Sequence, residues 1–340
     1  MEQAETKLDL PPVSADIDLS VVIVSYNTRQ MTIECVASVL DHRGDLNVEI
    51  IVVDNCSKDG SAAALRESFP NITVIDSPAN GGFAFGNNIG FEKASGRYIL
   101  LLNPDTRVHP GGLETAIRYM EENADIGIMG PLVRLDDGTQ QSSMIRYLSL
   151  TQLFFIIFMP SLWMRKTSLF GDLRYADLSR GEINSVDAVS GCFMLARRKI
   201  FEDIGGLDQR FFMYGEESEW CRRTTRAGWD IHYNPNVEIL HHGAASTAHM
   251  SEWKAVEMTR GHILFLRFTR GAFAAWIGTL FMLARDLVRL PYYGFKAILN
   301  GFRWDESAKP WLARLKFEMR SIVNLPKGQA ISRPAPSEIS

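Results

Sequence analysis

Runs of aliphatic residues alternate with helix-like segments along the first hundred residues of the chain. The aliphatic runs lie at 19–27, 48–55, 72–77 and 97–103, and each ends in polar residues. Such runs are typical of strands buried on both faces of a parallel sheet. The segments between them have apolar residues at helical spacing and predict one helix after each of the first three strands. This order predicts an α/β domain with a mainly parallel sheet flanked by helices and right-handed crossovers.

The second half of the chain becomes richer in helical patterns. An amphipathic helix is predicted at about 112–125, and the apolar stretch 126–135 is typical of a strand. Residues 185–243 then predict a strand, a helix, a loop, a helix and a strand. Changes in pattern and composition along the chain predict four regions. They are a flexible lead-in at 1–18, an α/β domain at 19–250, a helical extension at 251–325 and a disordered tail at 326–340.

Composition narrows the class of protein. The chain has 340 residues, 46% of them hydrophobic and 22% charged, which suits one large domain or two modest ones. A net charge of −4 argues against a general nucleic-acid-binding protein, which is usually strongly basic. The acidic N-terminus has no apolar stretch and is not typical of a signal peptide. The scattered cysteines form no C-x-x-C pair, so they predict reduced core thiols and favour the cytosol: Cys35, Cys56, Cys192 and Cys221.

Two strongly apolar segments, 150–164 and 271–284, raise the question of a membrane. Both are shorter than the roughly 20 residues that a transmembrane helix needs. Each suits a buried core, and the second also suits a helix lying in the plane of a membrane surface. Basic and aromatic residues that favour in-plane attachment surround the second segment: Arg267, Arg270, Arg285, Arg289, Lys296, Trp276, Tyr292 and Tyr293.

Polar residues follow each of the four predicted N-terminal strands. In parallel α/β sheets the ligand crevice lies beyond the carboxyl ends of the strands, so these residues are predicted to share one rim. They are Ser25, Tyr26, Asn27, Asp54, Asn55, Asp76, Ser77, Asn103, Pro104 and Asp105. The turn SYNTRQ after the first strand has no glycine, and both the G-x-G-x-x-G fingerprint and the G-x-x-x-x-G-K-[ST] loop are absent from the sequence. Hydride transfer and ATP hydrolysis at those standard sites are therefore disfavoured.

Three stretches on this rim carry candidate chemistry, and each has a structural alternative. Asp54 can accept an N–H from a pyrimidine ring edge, or it can cap the next helix. The glycine-rich stretch 80–90 lets backbone approach a ligand, or it forms a long turn whose aromatic residues enter the core. Asp105, in Asn103-Pro104-Asp105, can bind a divalent cation that bridges two phosphates, or it can close a turn.

Acidic and imidazole side chains in the second half supply further candidates. Glu216, Glu217 and Glu219 follow an aromatic cluster, where low solvation and like charges raise a carboxylate's pKa and suit it to act as a base. The alternative is an acid-rich helix start, which the helix dipole favours. His241 and His242 follow a strand and are expected to point to opposite faces, so at most one of them should serve the site directly.

Taken in order, these motifs resemble the inverting glycosyltransferases of family 2, particularly the bacterial rhamnosyltransferase-like branch. The resemblance covers roughly 19–250 and rests on VVIVSYN, VVDNCSKDGS, NGGFAFGNNIGFEKASG, LLLNPDT, VSGCFMLARR, LDQRFFMYGEESEW and LHHGAAS. It implies a GT-A fold, a nucleotide-diphosphate sugar donor and Mg²⁺ or Mn²⁺. It also implies a nucleotide-sugar-binding half at 19–110 and an acceptor and catalytic half at 111–250.

The resemblance also implies roles for individual residues. Asp54 would contact the donor's base, and the other donor-binding residues would be Ser25, Tyr26, Asn27, Asn55, Gly82, Phe83, Asn87, Asn88, Asn103 and Asp105. Asp105 would also hold the metal together with His241, with His242 as the alternative. Gly191, Cys192 and Glu219 would lie near the donor sugar and the acceptor. In the acidic pair Glu216-Glu217, the second member would be the base, one methylene longer than the family's usual aspartate.

The chemistry implied by these roles is a single displacement that inverts the anomeric carbon. Glu217 would take a proton from an acceptor hydroxyl while the cation stabilises charge on the leaving diphosphate, through an oxocarbenium-like transition state. By resemblance, the donor would be dTDP-L-rhamnose and the acceptor a saccharide or polyprenyl-linked saccharide of the cell envelope. Other UDP or dTDP sugars, such as galactofuranose, glucose or N-acetylglucosamine, remain alternatives. So do a nucleotidyltransferase and a catalytically idle sugar-nucleotide-binding module.

The expected location follows from the same considerations. A cytoplasmic protein is expected, held peripherally at the inner face of the membrane by a helix within residues 263–300. Its partners would be the donor, the acceptor and that membrane surface, with no nucleic acid among them.

Overall fold

A computed structural model describes residues 7–158, 175, 178–242, 251–299 and 308–328. The strands are β1 Leu19–Ser25, β2 Val48–Asp54, β3 Thr73–Asp76, β4 Tyr98–Leu102, β5 Thr106–Val108, β6 Ile126–Arg134, β7 Gln140–Gln141, β8 Met144–Ile145, β9 Asn184–Ser185, β10 Ala188–Val189, β11 Phe193–Arg197 and β12 Asp230–His241. The helices are α1 Arg29–Asp41, α2 Ser61–Ser68, α3 Gly82–Phe91, α4 Gly112–Glu122, α5 Leu150–Phe158, α6 Arg198–Ile204, α7 Glu216–Arg226, α8 Ser251–Arg270, α9 Ala272–Leu287, α10 Leu290–Leu299 and α11 Lys309–Val323.

One mixed sheet organises the α/β part of the molecule. Its strands run in the order β3-β2-β1-β4-β11-β6-β12-β5, with β7 paired to β6 and β9 to β12. The four predicted N-terminal strands are confirmed, and all three of their pairings are parallel. The register sets Ser25 beside Asp54 and Asp54 beside Asp76, so the ends of these strands share one edge, as expected. β11 is antiparallel to both β4 and β6, which inserts a reversed strand into the sheet.

Helices cover both faces of the sheet, which explains the unbroken aliphatic runs. Val21 and Ile23 pack in one core layer with Val36 of α1, whereas Val22 packs in the opposite layer with Phe91 of α3. Successive side chains of a strand point to opposite faces, so a strand covered on both sides needs apolar residues at every position.

The glycine-rich stretch 80–90 forms most of α3. The helix begins at Gly82, which has a φ of +83°. The Phe83 N–H donates to the Phe212 carbonyl at 2.9 Å, which ties this start to a distant loop. Gly86 and Gly90 lie where a Cβ would come within 2.7 and 2.3 Å of valines in β1. These glycines therefore allow close packing of helix on sheet within α3, rather than forming a long turn before it.

Two predictions differ from the structure. Cys56 is exposed, whereas Cys35, Cys192 and Cys221 are buried as predicted. Residues 7–18 were expected to be flexible, yet Leu8 and Leu10 pack against the core and the Ser14 N–H donates to the Ser95 carbonyl at 2.9 Å. Apolar side chains thus anchor a segment whose charge pattern alone suggested a loose lead-in.

The C-terminal helices form a separate apolar layer with α5. Leu153 of α5 shares a core with Leu264 of α8 and Met282 of α9, so the described part of the first apolar segment is core. Residues 159–164 of that segment lie outside the described residues. α9 buries one face, while Phe273 on the other face is 77% exposed. Within the ranges that the structure describes, no helix is both long and apolar enough to cross a membrane.

A buried cluster of charges joins α9 to α11. Asp286 accepts from the Arg314 Nη2 at 3.0 Å, and the Arg285 Nη2 lies 3.5 Å from the Glu318 Oε1. Both carboxylates are fully buried. Burial and the neighbouring Asp286 raise the pKa of Glu318 to about 8, against the opposing influence of the arginines.

This raised pKa predicts a loss of stability as the pH rises. The unfolded chain releases the Glu318 proton near pH 4.5, whereas the folded chain holds it until about pH 8. The free energy of unfolding should therefore fall between these values, by an amount on the order of a few kcal/mol. Glu318→Gln, which keeps the shape and removes the charge, should flatten that decline in urea unfolding at pH 5, 6.5 and 8.

The matched control is Glu122→Gln on the exposed face of α4, which should leave the decline unchanged. His262 gives the opposite pH dependence. Burial, and then the charges of Arg285 and Arg314, lower its pKa to about 4, so its contribution to the free energy of unfolding rises with pH between about 4 and 6.5. Both variants keep His262, so the difference in their pH dependence of unfolding isolates the contribution of Glu318. Equal slopes in both variants would contradict the prediction.

Candidate active site

A cavity of about 630 Å³ opens beyond the carboxyl ends of β1, β2 and β4. Most of the residues predicted to form a site line it, although they come from distant parts of the chain. They are Tyr26, Asn55, Gly82, Phe83, Asn103, Asp105, Gly191, Cys192, Glu216, Glu217 and His241. The sheet edge therefore meets the start of α7 and the end of β12 around one space, as the sequence predicted.

Several predicted donor-binding side chains do not line this cavity and instead support its loops. Ser25 bonds the hydroxyls of Thr28 and Thr32 at 3.1 and 2.9 Å. The Asn88 amide donates to the Leu207 carbonyl at 2.8 Å and accepts from the Leu207 N–H at 2.9 Å. These hydrogen bonds occupy the polar atoms of Ser25 and Asn88 within the protein.

Asn27 and Asn87 are also engaged with backbone. Asn27 Oδ1 accepts from the Lys58 N–H at 2.7 Å, and the Asn87 amide donates to the Phe83 carbonyl at 2.9 Å. Both residues hold the segments that flank the cavity. Each of these bonds uses one polar atom of its side chain, and contact of Asn27 and Asn87 with a donor stays a prediction.

Glu219 and His242 lie away from the cavity as well. Both Glu219 oxygens accept from the Arg223 Nε, at 2.8 and 2.9 Å, so this acid forms an ion pair one turn along α7. His242 Nδ1 lies 2.7 Å from Oδ1 of Asp136, outside the cavity lining. Adjacent strand residues point to opposite faces, so only His241 turns inward.

Asp54 is observed in one of its two alternative roles. Its Oδ2 accepts from the Ser57 N–H at 3.0 Å, as a turn or cap residue would. Its Oδ1 and the Oδ1 of Asn55 are buried and have no hydrogen-bond partner among the described residues, and of these two residues Asn55 lines the cavity whereas Asp54 does not. Buried acceptors left without a donor are unfavourable, so an N–H group that reached either oxygen would be stabilising.

Asp105 and His241 form a buried pair at the rim. Antiparallel pairing of β12 with β5 sets His241 opposite Thr106, next to Asp105 in the chain. The His241 Nε2 lies 3.2 Å from the Asp105 Oδ1, and its Nδ1 lies 3.0 Å from the Gln141 Oε1. When Nδ1 donates to this amide oxygen and the ring carries one proton, the Nε2 lone pair faces a carboxylate.

This arrangement fits a divalent cation. A nitrogen and an oxygen about 3 Å apart match two neighbouring ligands of an octahedral ion bound at about 2.1 Å. A lone pair facing a carboxylate is favourable only with a cation or proton shared between them, and Nε2 lacks a hydrogen-bond partner among the described residues. Within those residues no group of three His, Cys, Asp or Glu side chains could surround an ion. Diphosphate oxygens and water would therefore complete the coordination.

The two adjacent acids at the start of α7 have different environments. Glu216 is 3% exposed, and burial, followed by the charge of Glu217, raises its pKa well above the ordinary range. Glu217 is only partly buried, faces the cavity and accepts from the Gly215 N–H at 3.1 Å. The two adjacent acids therefore differ in environment: the pKa of Glu216 is raised by burial, and Glu217 is the one that faces the cavity.

The sequence did not predict that α8 lines the cavity. Trp253, Lys254, Met258, His262 and Phe265 of this helix all border it. Their spacing of three to four residues places them on one helix face. That spacing is also typical of an ordinary core stripe, so no motif marked it as part of a site.

α8 also contacts the turn that carries the acids. A Cβ on Gly261 would lie 2.0 Å from the Tyr214 carbonyl oxygen, so only glycine permits this approach. Gly261→Ala should push α8 and the turn apart and lower the transfer rate about tenfold or more, since small displacements of reacting groups are costly. The measurement is kcat, with circular dichroism to confirm folding.

Gly294→Ala in α10 is the matched control for this prediction. A Cβ there meets no heavy atom within 4 Å among the described residues, so kcat should not change. A Gly261→Ala enzyme that is as fast as the wild type would contradict a positioning role for α8.

The comparison with known families now identifies the class. The model described as Glycosyl transferase family 2 matches residues 20–205, more than half of the chain. The protein therefore belongs to glycosyl transferase family 2 and is a glycosyltransferase, for which an inverting mechanism is consistent with the family. Glu217, His241 and α8 lie beyond the matched residues, so their assignment depends on the geometry described above.

Relatives refine the class to rhamnosyltransferase-like proteins. The chain is 28% identical over 242 residues to the N-acetylglucosaminyl-diphospho-decaprenol L-rhamnosyltransferase of Mycobacterium tuberculosis, covering 67% of this chain and 77% of that protein. It is 30% identical over 207 residues to the rhamnosyltransferase WbbL of Escherichia coli, covering 58% and 74%. The mannosyltransferase PcManGT from Pyrobaculum calidifontis, solved with GDP-Man and Mn²⁺, shares the GT-A fold, with a TM-score of 0.52 at 14% identity over 94% of this chain and 90% of that one.

Proposed function

We propose that this protein transfers L-rhamnose from dTDP-L-rhamnose to a hydroxyl of a lipid-linked saccharide during the synthesis of a cell-envelope glycan. The observation that carries the proposal is the convergence of Asp105, His241 and Glu217 on one cavity. The likeness to two rhamnosyltransferases supports the choice of sugar. The lipid-linked acceptor is supported by the name of the mycobacterial relative, whose acceptor is a sugar on diphospho-decaprenol.

The residues of the chain divide the reaction between them. Glu217 accepts the proton of the acceptor hydroxyl, whose oxygen forms a bond to the anomeric carbon as the bond to the diphosphate breaks. Attack from the face opposite the leaving group inverts the anomeric carbon. The raised pKa of the buried Glu216 favours its neutral form beside Glu217, which limits the negative charge in this buried corner. Asp54 accepts an N–H of the donor's base.

Asp105 and His241 would hold Mg²⁺ or Mn²⁺ at the diphosphate. When bound, such an ion stabilises the charge that develops on the leaving diphosphate. The buried and unpartnered Nε2 of His241 supports this assignment. The Mn²⁺ in the structure of PcManGT agrees with a divalent ion in this fold.

We also propose that α9 and α10 attach the enzyme to the cytoplasmic face of a membrane. We define the α9–α10 surface by its exposed apolar residues, Phe273, Trp276, Leu287, Val288, Leu290, Tyr292, Phe295 and Ile298. Between 270 and 299 the only acid is the buried Asp286, whereas Arg270 and Arg289 are exposed. Apolar rings rimmed by cations favour an anionic lipid surface.

The membrane proposal predicts that the protein sediments with vesicles containing anionic lipid. The double variant Phe273→Ser/Phe295→Ser should lose this binding and stay folded, because both rings are exposed. Wild-type protein that remains in the supernatant would contradict the attachment.

A donor panel tests the proposed reaction. The protein is incubated with Mn²⁺ or Mg²⁺, a lipid-linked saccharide and dTDP-L-rhamnose or other UDP and dTDP sugars. Faster transfer from dTDP-L-rhamnose than from the other donors is expected. Preferential transfer of another sugar would show that the donor is not dTDP-L-rhamnose. Tight donor binding without transfer would indicate a binding module. Release of pyrophosphate from a nucleoside triphosphate would indicate a nucleotidyltransferase.

A further inference from the structure

We infer that α8 and residues 145–148 form the acceptor subsite, and that Lys254 binds the diphosphate through which the acceptor sugar is carried on a lipid. The inference rests on the proposed function, because it assigns the second substrate of the same cavity. It concerns a wall of the cavity that none of the motifs in the sequence marks.

The cavity has two chemically different linings. The strand ends contribute the polar side chains of Asn55, Asn103 and Asp105. The side formed by α8 and the segment 145–148 contributes apolar groups and two cations. These residues are Ile145, Arg146, Leu148, Lys254, Met258 and Phe265. An apolar wall that carries cations can bind a lipid diphosphate, because the apolar side chains contact the hydrocarbon chain and the cations contact the phosphates.

Lys254 is the cation of this wall for which the described part of the chain shows no partner. It is partly buried and borders the cavity, and it forms no ion pair or hydrogen bond among the described residues. The donor diphosphate is expected on the other side, at Asp105 and His241, where a metal would neutralise it. Lys254 is therefore available for a second anion.

The helix geometry separates Lys254 from the acids. Gly261 touches the turn that precedes Glu217, and Lys254 lies seven residues before Gly261. Seven residues span about 10 Å along a helix. Lys254 therefore borders the cavity about two helical turns from the place where α8 meets this turn. We assign the acceptor hydroxyl to the end of the cavity at the acids and the diphosphate to the end at Lys254.

Neighbouring groups suit the rest of such a molecule. Arg146 borders the same space with its guanidinium stacked 4.2 Å from the Tyr175 ring centroid, which fixes the orientation of this second cation. Met258 lies one turn after Lys254, between it and the turn that carries the acids, and offers an apolar surface to a ring of the acceptor sugar. α8 also packs against α9, whose outer face belongs to the α9–α10 surface. A lipid held in a membrane at that surface would enter along α8.

The test compares two acceptors in the full-length enzyme. One is N-acetylglucosamine carried on farnesyl diphosphate, and the other is octyl N-acetylglucosaminide, which has no phosphate. Lys254→Met should raise KM for the diphosphate acceptor about 10- to 100-fold, the effect of losing a charge-assisted hydrogen bond. KM for the octyl glycoside and the Kd for dTDP should stay unchanged.

Two further variants sharpen the result. Lys254→Arg keeps the charge and should restore KM to within a few-fold of the wild type. Lys316→Met, on the exposed face of α11, is the matched control and should have no effect.

The outcomes separate this inference from the proposed function. If Lys254→Met changes neither acceptor's KM, or weakens dTDP binding instead, the assignment of Lys254 to the acceptor diphosphate is wrong. The proposed transferase function is not affected by that result. If the wild-type enzyme transfers sugar to neither acceptor, both the subsite and the proposed lipid-linked acceptor are overturned.

Discussion

Glu217→Gln is expected to abolish sugar transfer and to leave donor binding intact. Glutamine keeps the shape of the side chain but cannot accept a proton, and loss of a general base lowers a rate by about 10²–10⁴-fold. Glu217 is the member of the acidic pair that faces the cavity, and its carboxylate is held by the Gly215 N–H. The measurements are kcat for transfer and the Kd for the nucleotide sugar.

The control for this variant is Glu67→Gln on the exposed face of α2, which should transfer sugar at the wild-type rate. A Glu217→Gln enzyme with an undiminished kcat would remove Glu217 as the base. A large rise in the donor Kd would instead show that this carboxylate serves the donor.

Asp105→Ala is expected to remove metal-dependent activity. Asp105 is the carboxylate that faces His241, so its loss leaves one imidazole to hold an ion. The charge stabilisation supplied by a metal is several kcal/mol, which corresponds to a fall in kcat on the order of 10²–10³. Titration of Mn²⁺ in the presence of dTDP measures the loss of metal affinity directly.

The chain offers a matched control in a second aspartate–histidine pair. Asp136 pairs with His242 at 2.7 Å, but neither residue lines the cavity. Asp136→Ala should therefore keep both kcat and the Mn²⁺ titration of the wild type. Equal losses in the two alanine variants would show that position in the cavity does not matter, and the assignment of Asp105 would fail.

The parallel half of the fold is predictable from the sequence because its burial is two-sided. A strand covered on both faces requires apolar residues throughout, as in Val21, Val22 and Ile23, and that pattern is visible without coordinates. The rim of polar residues then follows from topology. The reversed strand β11 and the pairing of β12 with β5 depend on long-range contacts that no local pattern specifies.

The candidate site is predictable only where backbone fixes the side chain. Asp105 lies in the short connection between β4 and β5 and directly precedes β5, so these strands position it. Asn88 and Glu219 matched the expected motif but bond to Leu207 and Arg223, partners that only the folded chain reveals. Lys254 was missed for the opposite reason, because a helical stripe looks the same whether it borders a core or a cavity.

The anomeric configuration of the product reports directly on how the sugar is displaced. Wild-type enzyme, Mn²⁺, dTDP-L-rhamnose and the diphosphate-linked acceptor are incubated together, and the new linkage is examined by NMR. We expect a single rhamnosyl product whose anomeric configuration is opposite to that of the donor. A product that retains the donor's configuration would contradict direct displacement assisted by Glu217, and the absence of any glycosyl product would contradict the proposed reaction.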